Sequence, residues 1–122
     1  MPGLLVDGRW VAPLEIAEGY WSRMMGLAGR SEFDGALLLR RRSAALRSVH
    51  TFGMRFAIDV AHCSDDLRVL QVATLEPNRR PQAAQSSEAM QVIEARAGAF
   101  AEWELVAARD GVGGSQLGIG DA

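Results

Sequence analysis

The sequence predicts a mainly β fold with an α+β margin: one compact β-sandwich or jelly-roll-like domain, or a small barrel, with one short N-terminal helix and one short C-terminal helix. Three observations predict it. Strict two-residue alternation runs from Phe56 to His62, and a β pattern resumes from Leu67 to Leu75. Turn-forming pairs, Asp7-Gly8 and Asp65-Asp66, separate short apolar runs as hairpin turns do. Helical spacing, by contrast, is confined to short stretches near each end.

At the N-terminus, LLVDGRWV sets two apolar runs around Asp7-Gly8, a pair that tolerates the positive φ angles of a two-residue hairpin. Pro13 cannot donate a ladder hydrogen bond, so Val11 to Ala17 belongs at an edge or a break between strands. From Glu18 to Leu27, Tyr20, Met24 and Leu27 recur at three- and four-residue spacing, which predicts a short amphipathic helix capped by Gly29. Arg30 to Asp34 reads as loop.

Ala36 to Leu39 is a compact apolar strand, followed by Arg40, Arg41, Arg42 and Ser43 on a wet edge or in a turn. Leu46 to Phe52 reads as extended. The alternation that follows puts Phe56, Ile58, Val60 and His62 on one face, with Ala57, Asp59, Ala61 and Cys63 on the other. Asp65-Asp66 turns this strand into a hairpin ending near Leu75. Glu76 to Ala89, with two prolines, two serines and no apolar period, is a long surface loop.

Met90 to Arg96 reads as the last strand. Gly98 then opens Ala99 to Leu105, one or two helical turns carrying Phe100 and Trp103. After Asp110, GVGGSQLGIGDA has five glycines in twelve residues, too few side chains to offset the entropy of ordering the backbone. The expected organisation is a single domain over 1–112 and a flexible glycine-rich tail over 113–122.

Composition narrows the function classes. A chain of 122 residues, 48% hydrophobic and 23% charged, can bury one core and is neither disordered throughout nor fibrous. Thirteen basic and fifteen acidic residues leave a formal charge of −2, so no global field draws nucleic acid. The lone Cys63 excludes an internal disulfide and fits a reducing compartment. With no signal-like segment and no apolar run near the ~20 residues that span a bilayer, the expectation is a soluble cytoplasmic protein without a membrane partner.

Four segments, in order, resemble the domain-of-unknown-function family 192. VHTFGMRFAIDV (Val49 to Val60) is similar to its central strand pair, SRMMGLAGR (Ser22 to Arg30) to its Gly-Leu-Met-Gly-Arg element, DGALLLR (Asp34 to Arg40) to the strand that follows, and QVIEARAG (Gln91 to Gly98) to the strand and Ala-Gly turn before its last helix. Together they cover roughly residues 10 to 112. The resemblance implies a compact β-sandwich or jelly-roll-like domain with small helices, and it implies no established activity. Ala57 departs from the family's usual proline, Ala28 from its methionine, and His62-Cys63-Ser64 from its Phe-Leu-Asp. A role for His62 or Cys63 would therefore be particular to this chain.

Several constellations bear on chemistry. His50 and Asp59 are nine residues apart on segments that would neighbour each other if Gly53 marks a turn, and a carboxylate that orients an imidazole makes a general base. The favoured alternative has Asp59 bonded to backbone amides or to an arginine such as Arg55, with His50 on the sheet surface. Thr51 and Arg55 are the candidate binding residues. Cys63 and His62 point to opposite faces of one strand and cannot pair directly, so Cys63 reads as a small buried hydrophobe.

His50, His62 and Cys63 are too few for a metal shell, and no Gly-x-x-x-x-Gly-Lys loop is present, so neither metal nor cofactor is expected. Arginines 40, 41, 42, 47 and 55 near Phe52 and Phe56 could touch single-stranded nucleic acid, although arginine also protects a sheet edge. Trp21 and Trp103 read as core, with Trp10 left open. The preferred function is a non-catalytic module that binds a small molecule or a protein. The alternatives are a small enzyme using His50 oriented by Asp59, and weak nucleic-acid binding through Arg40–Arg42.

Overall fold

The structure, a computed structural model, describes residues 2–17, 33–40, 56–77 and 85–121. Its elements are β1 (Pro2–Val6), β2 (Arg9–Ala17), β3 (Ala36–Arg40), β4 (Ile58–Cys63), β5 (Val69–Leu75), β6 (Gln91–Arg96), α1 (Ala99–Glu102), β7 (Ala108–Arg109), β8 (Val112–Gly113) and β9 (Leu117–Asp121). The fold is mainly β. Among the described residues seven strands form one sheet in the order β5-β4-β6-β3-β2-β1-β9, and β7 and β8 form a small second one.

The first hairpin forms because Asp7 (φ 49) and Gly8 (φ 86) both take the left-handed conformation that matches the right-handed twist of the flanking strands. Pro13 ends the pairing with β1, opposite Gly3, and from Leu14 onward β2 runs parallel to β3. Its missing N–H thus falls where the strand changes partners. Gly35 is needed beside this switch, since a Cβ there would lie 2.7 Å from the Pro13 carbonyl oxygen.

All other neighbours in the large sheet pair antiparallel. The β4–β5 hairpin pairs Ile58 with Leu75 and Asp59 with Thr74, and its register shifts between His62 and Cys63. The central strands are buried on both faces. On one side Leu4, Val6, Leu14, Leu38, Ala61, Cys63 and Ile93 pack with Phe100, Trp103, Leu105 and Leu117; on the other Leu37, Leu39, Ile58, Val60 and Val92 pack with Phe33, Phe56 and Leu75.

The sheet curls until its edges meet at one point. Arg68 and Gln116, just before β5 and β9, form an isolated antiparallel bridge, with Val69 N–H donating to Ser115 O and Leu117 N–H to Leu67 O, both at 3.0 Å. Contact at that one corner gives a sandwich-like domain rather than a closed barrel.

Two expectations are corrected. Met90–Arg96 is not the last strand: β6 begins at Gln91, β7, β8 and β9 follow it along the chain, and it lies between β3 and β4 inside the sheet. The expected frayed tail over 113–122 is ordered through residue 121, because β9 pairs with β1 along its whole length, from Leu117 opposite Val6 to Asp121 opposite Pro2. Ladder hydrogen bonds and the burial of Leu117 offset the backbone entropy of the glycines. Gly118 and Gly120 also make room for Leu5, whose Cδ1 lies 3.6 and 3.1 Å from where their Cβ atoms would be.

The expected C-terminal helix is α1. The expected helix over Glu18–Leu27, the extended run Leu46–Phe52, and residues 78–84 of the expected loop lie outside the described residues.

Candidate functional site

Asp59 is the described acidic residue that the sequence singled out, and β4 carries it into the interior at 4% exposure. Its carboxylate is a junction. Oδ1 accepts the Thr74 hydroxyl at 2.7 Å from β5, and Oδ2 accepts the backbone N–H groups of Gly98 and Phe100, each at 3.1 Å. Gly98 takes φ 93 at the start of α1 and has no side chain with which to cap it. Asp59 supplies the missing acceptor from the sheet.

Beside this junction opens a depression of about 300 Å3, walled by β5, the start of α1 and Leu105. Val72, Phe100, Ala101 and Leu105 contribute apolar walls, while Asp59 and Thr74 bring oxygen. Pockets that hold small molecules have this composition, and about 300 Å3 is the lower end of their size range.

A broader groove of about 860 Å3 lies between the β4–β5 turn and the β7–β8 hairpin. Much of its polar lining is already engaged within the chain. Ser64 bonds Asp66, and the Arg68 guanidinium donates to Gly114 O at 3.0 Å. The Ser64 hydroxyl is also the main reason that the Asp66 carboxyl lies below the usual aspartate range.

The other residues singled out by the sequence are dispersed. His50, Thr51, Arg55, Arg41, Arg42, Arg47, Phe52 and Trp21 lie outside the described residues, while Arg40 ends β3 and is exposed. Cys63 is fully buried, and burial pushes its thiol up to about 12, so the thiolate needed for nucleophilic attack is scarce at neutral pH. Among the described residues no three His, Cys, Asp or Glu side chains group to hold a metal. Trp103 is core, its ring centroid 6.0 Å from that of Phe100, whereas Trp10 is 40% exposed and covers Gly3.

Sequence reasoning missed Glu94. It is 2% exposed on β6, opposite Val60, and shares the face of Val60 and Val92 with His62, itself 1% exposed. The register makes His62 and Glu94 diagonal neighbours, close enough for long side chains to interact, and neither is without a partner. The available signal was an acid at an inward step of the alternation Val92, Glu94, Arg96.

No helix among the described residues is long and apolar enough to cross a membrane. The search of curated proteins finds no match. A solved structure, a protein of unknown function from Novosphingobium aromaticivorans DSM 12444, superposes with a TM-score of 0.76 at 19% identity, covering 94% of this chain and 82% of its own. At that identity the likeness shows a shared fold alone. The model of domain-of-unknown-function family 192, described as Uncharacterized ACR, matches residues 5–110, so the chain belongs to that family.

Proposed function

We propose that the protein is a soluble, cytoplasmic, non-catalytic binding module whose ligand is a small molecule held in the depression beside Asp59. One observation carries the reading: apolar walls from Val72, Phe100, Ala101 and Leu105 converge on two oxygen-bearing side chains in a space of about 300 Å3. Catalysis has less support, because three of the about four lone-pair positions of the Asp59 carboxylate already hold Thr74, Gly98 and Phe100. Thr51 and Arg55 carry over from the sequence as binding residues, and their alanine variants should weaken binding without lowering the melting temperature.

The test is a ligand-observed NMR screen of small organic fragments against the native chain and Ala101→Trp. Ala101 is exposed on α1, so the larger ring fills the depression rather than the core. Binding that disappears in Ala101→Trp at an unchanged melting temperature supports the reading. No binders, or an identical set of binders for both proteins, overturns it.

A further inference from the structure

We infer that the depression beside Asp59 selects a primary ammonium ion carried on a short apolar chain; this rests on reading the depression as the ligand site.

The first ground is charge. Asp59 is 4% exposed, yet its three partners are neutral, and no cation pairs with it among the described residues. The ion pairs Arg9–Glu104 and Arg96–Glu102 lie between other side chains. Burying a carboxylate is costly unless it is hydrogen-bonded and paired, and here only the first condition is met. None of the other described residues lining the depression is charged. A cation entering it offsets what the neutral donors leave.

The second ground is hydrogen-bond valence. Oδ2 is filled by two amides, whereas Oδ1 holds only the Thr74 hydroxyl and keeps one lone pair. Thr74 Oγ1 spends its proton on Asp59 and so presents its own lone pairs. Two acceptors therefore converge with no side-chain donor beside them among the described lining residues. An ammonium group, with three donors and no acceptor, complements that set, while an anion does not.

Guanidinium fits less well, because its fork needs both carboxylate oxygens and Oδ2 is occupied. A divalent metal would find one carboxylate where several oxygen ligands are needed. Val72, Phe100, Ala101 and Leu105 then accommodate the alkyl part, and a space of about 300 Å3 keeps it short.

The experiment titrates the folded chain at neutral pH with isobutylammonium, its neutral isostere isobutanol, and methylguanidinium, following the Ala73, Ala101 and Leu105 methyl signals by NMR. Isobutylammonium should bind about tenfold more tightly than isobutanol, the gain expected of a charge-assisted over a neutral hydrogen bond, and ahead of methylguanidinium. Asp59→Asn removes the charge while an amide can still serve all three partners, and it should erase that preference. Thr74→Val, at an exposed position, should weaken the amine alone. Equal binding of amine and alcohol at these methyls overturns the ammonium assignment and leaves the site standing. No shift with any probe overturns both, and undiminished amine preference in Asp59→Asn overturns the role of Asp59.

Discussion

Replacing Asp59 by alanine removes the acceptor for three donors at once. The Phe100 N–H is buried and the Gly98 N–H and Thr74 hydroxyl are part-buried, so their losses are unequal. A buried donor left unsatisfied costs about 1–3 kcal/mol, whereas Thr74, exposed overall, can turn to water. Release of the carboxylate from burial returns part of the cost, for a net loss of about 3 kcal/mol, a large share of the ~5–15 kcal/mol that holds a domain together. In a chain of this size the melting temperature should fall by roughly 10 °C. Urea unfolding followed by circular dichroism should show an earlier midpoint at an unchanged slope. Asp59→Asn discriminates, because Oδ1 can face the two amides while Nδ2 donates to Thr74, and its cost should stay under about 1 kcal/mol. An alanine variant that melts within about 2 °C of the native chain, or an asparagine variant as unstable as alanine, would refute the junction.

Gly114→Ala should cost more than about 2 kcal/mol in chemical denaturation, since Gly114 takes φ +78 and a Cβ would lie 2.7 Å from Val69 O and 2.8 Å from Ala108 N. Gly8→Ala, at φ +86 with open space around it, should cost only the conformational strain, about 1 kcal/mol; equal losses at the two positions would contradict the close approach. Cys63 should resist a thiol-specific reagent at pH 8 in the native protein and react at once in urea, and rapid native labelling would refute its burial. Asp66 should titrate below the ordinary aspartate value near 3.9 in a carboxyl-detected NMR titration. Its lowered folded value means that its contribution to stability is present above the unfolded pKa and disappears as pH falls through the folded one. Ser64→Ala should raise that value, and an unchanged titration would exclude the hydroxyl as its cause.

The sheet was legible where periodicity and turn chemistry agree. Both devices place the β4–β5 hairpin, and Asp7-Gly8 places the first one. The same Asp-Gly signal recurs at Asp110 and Gly111, which take φ 53 and 76 and pair Arg109 with Val112. It escaped notice because the glycine count that follows suggests disorder. Composition measures how little side chain β9 brings. It does not register that β1 offers an open ladder, or that Gln116 ties the region to Asp7, with its N–H donating to Asp7 Oδ1 at 2.9 Å.

The site was less legible because its parts meet only through the fold. Alternation marked Asp59 and the turn signal marked Gly98, but they are 39 residues apart, and Phe100 is 41 residues from Asp59. What joins them is register: β6 pairs Ala95 with Asp59, so the chain leaving β6 turns at Gly98 directly over that carboxylate. A glycine at the helix start needs an acceptor from elsewhere, and an inward-facing acid on the neighbouring strand provides one. The alternative favoured over His50, backbone amides as the partners of Asp59, is the one the structure shows, and register decides that Gly98 and Phe100 supply them. Histidine and aspartate suggest catalysis when only side chains are compared, whereas backbone N–H groups, present at every position except proline, leave no mark in a sequence. An inward-facing acid on a central strand should therefore be weighed first against the nearest glycine-started helical turn, and only then against a histidine.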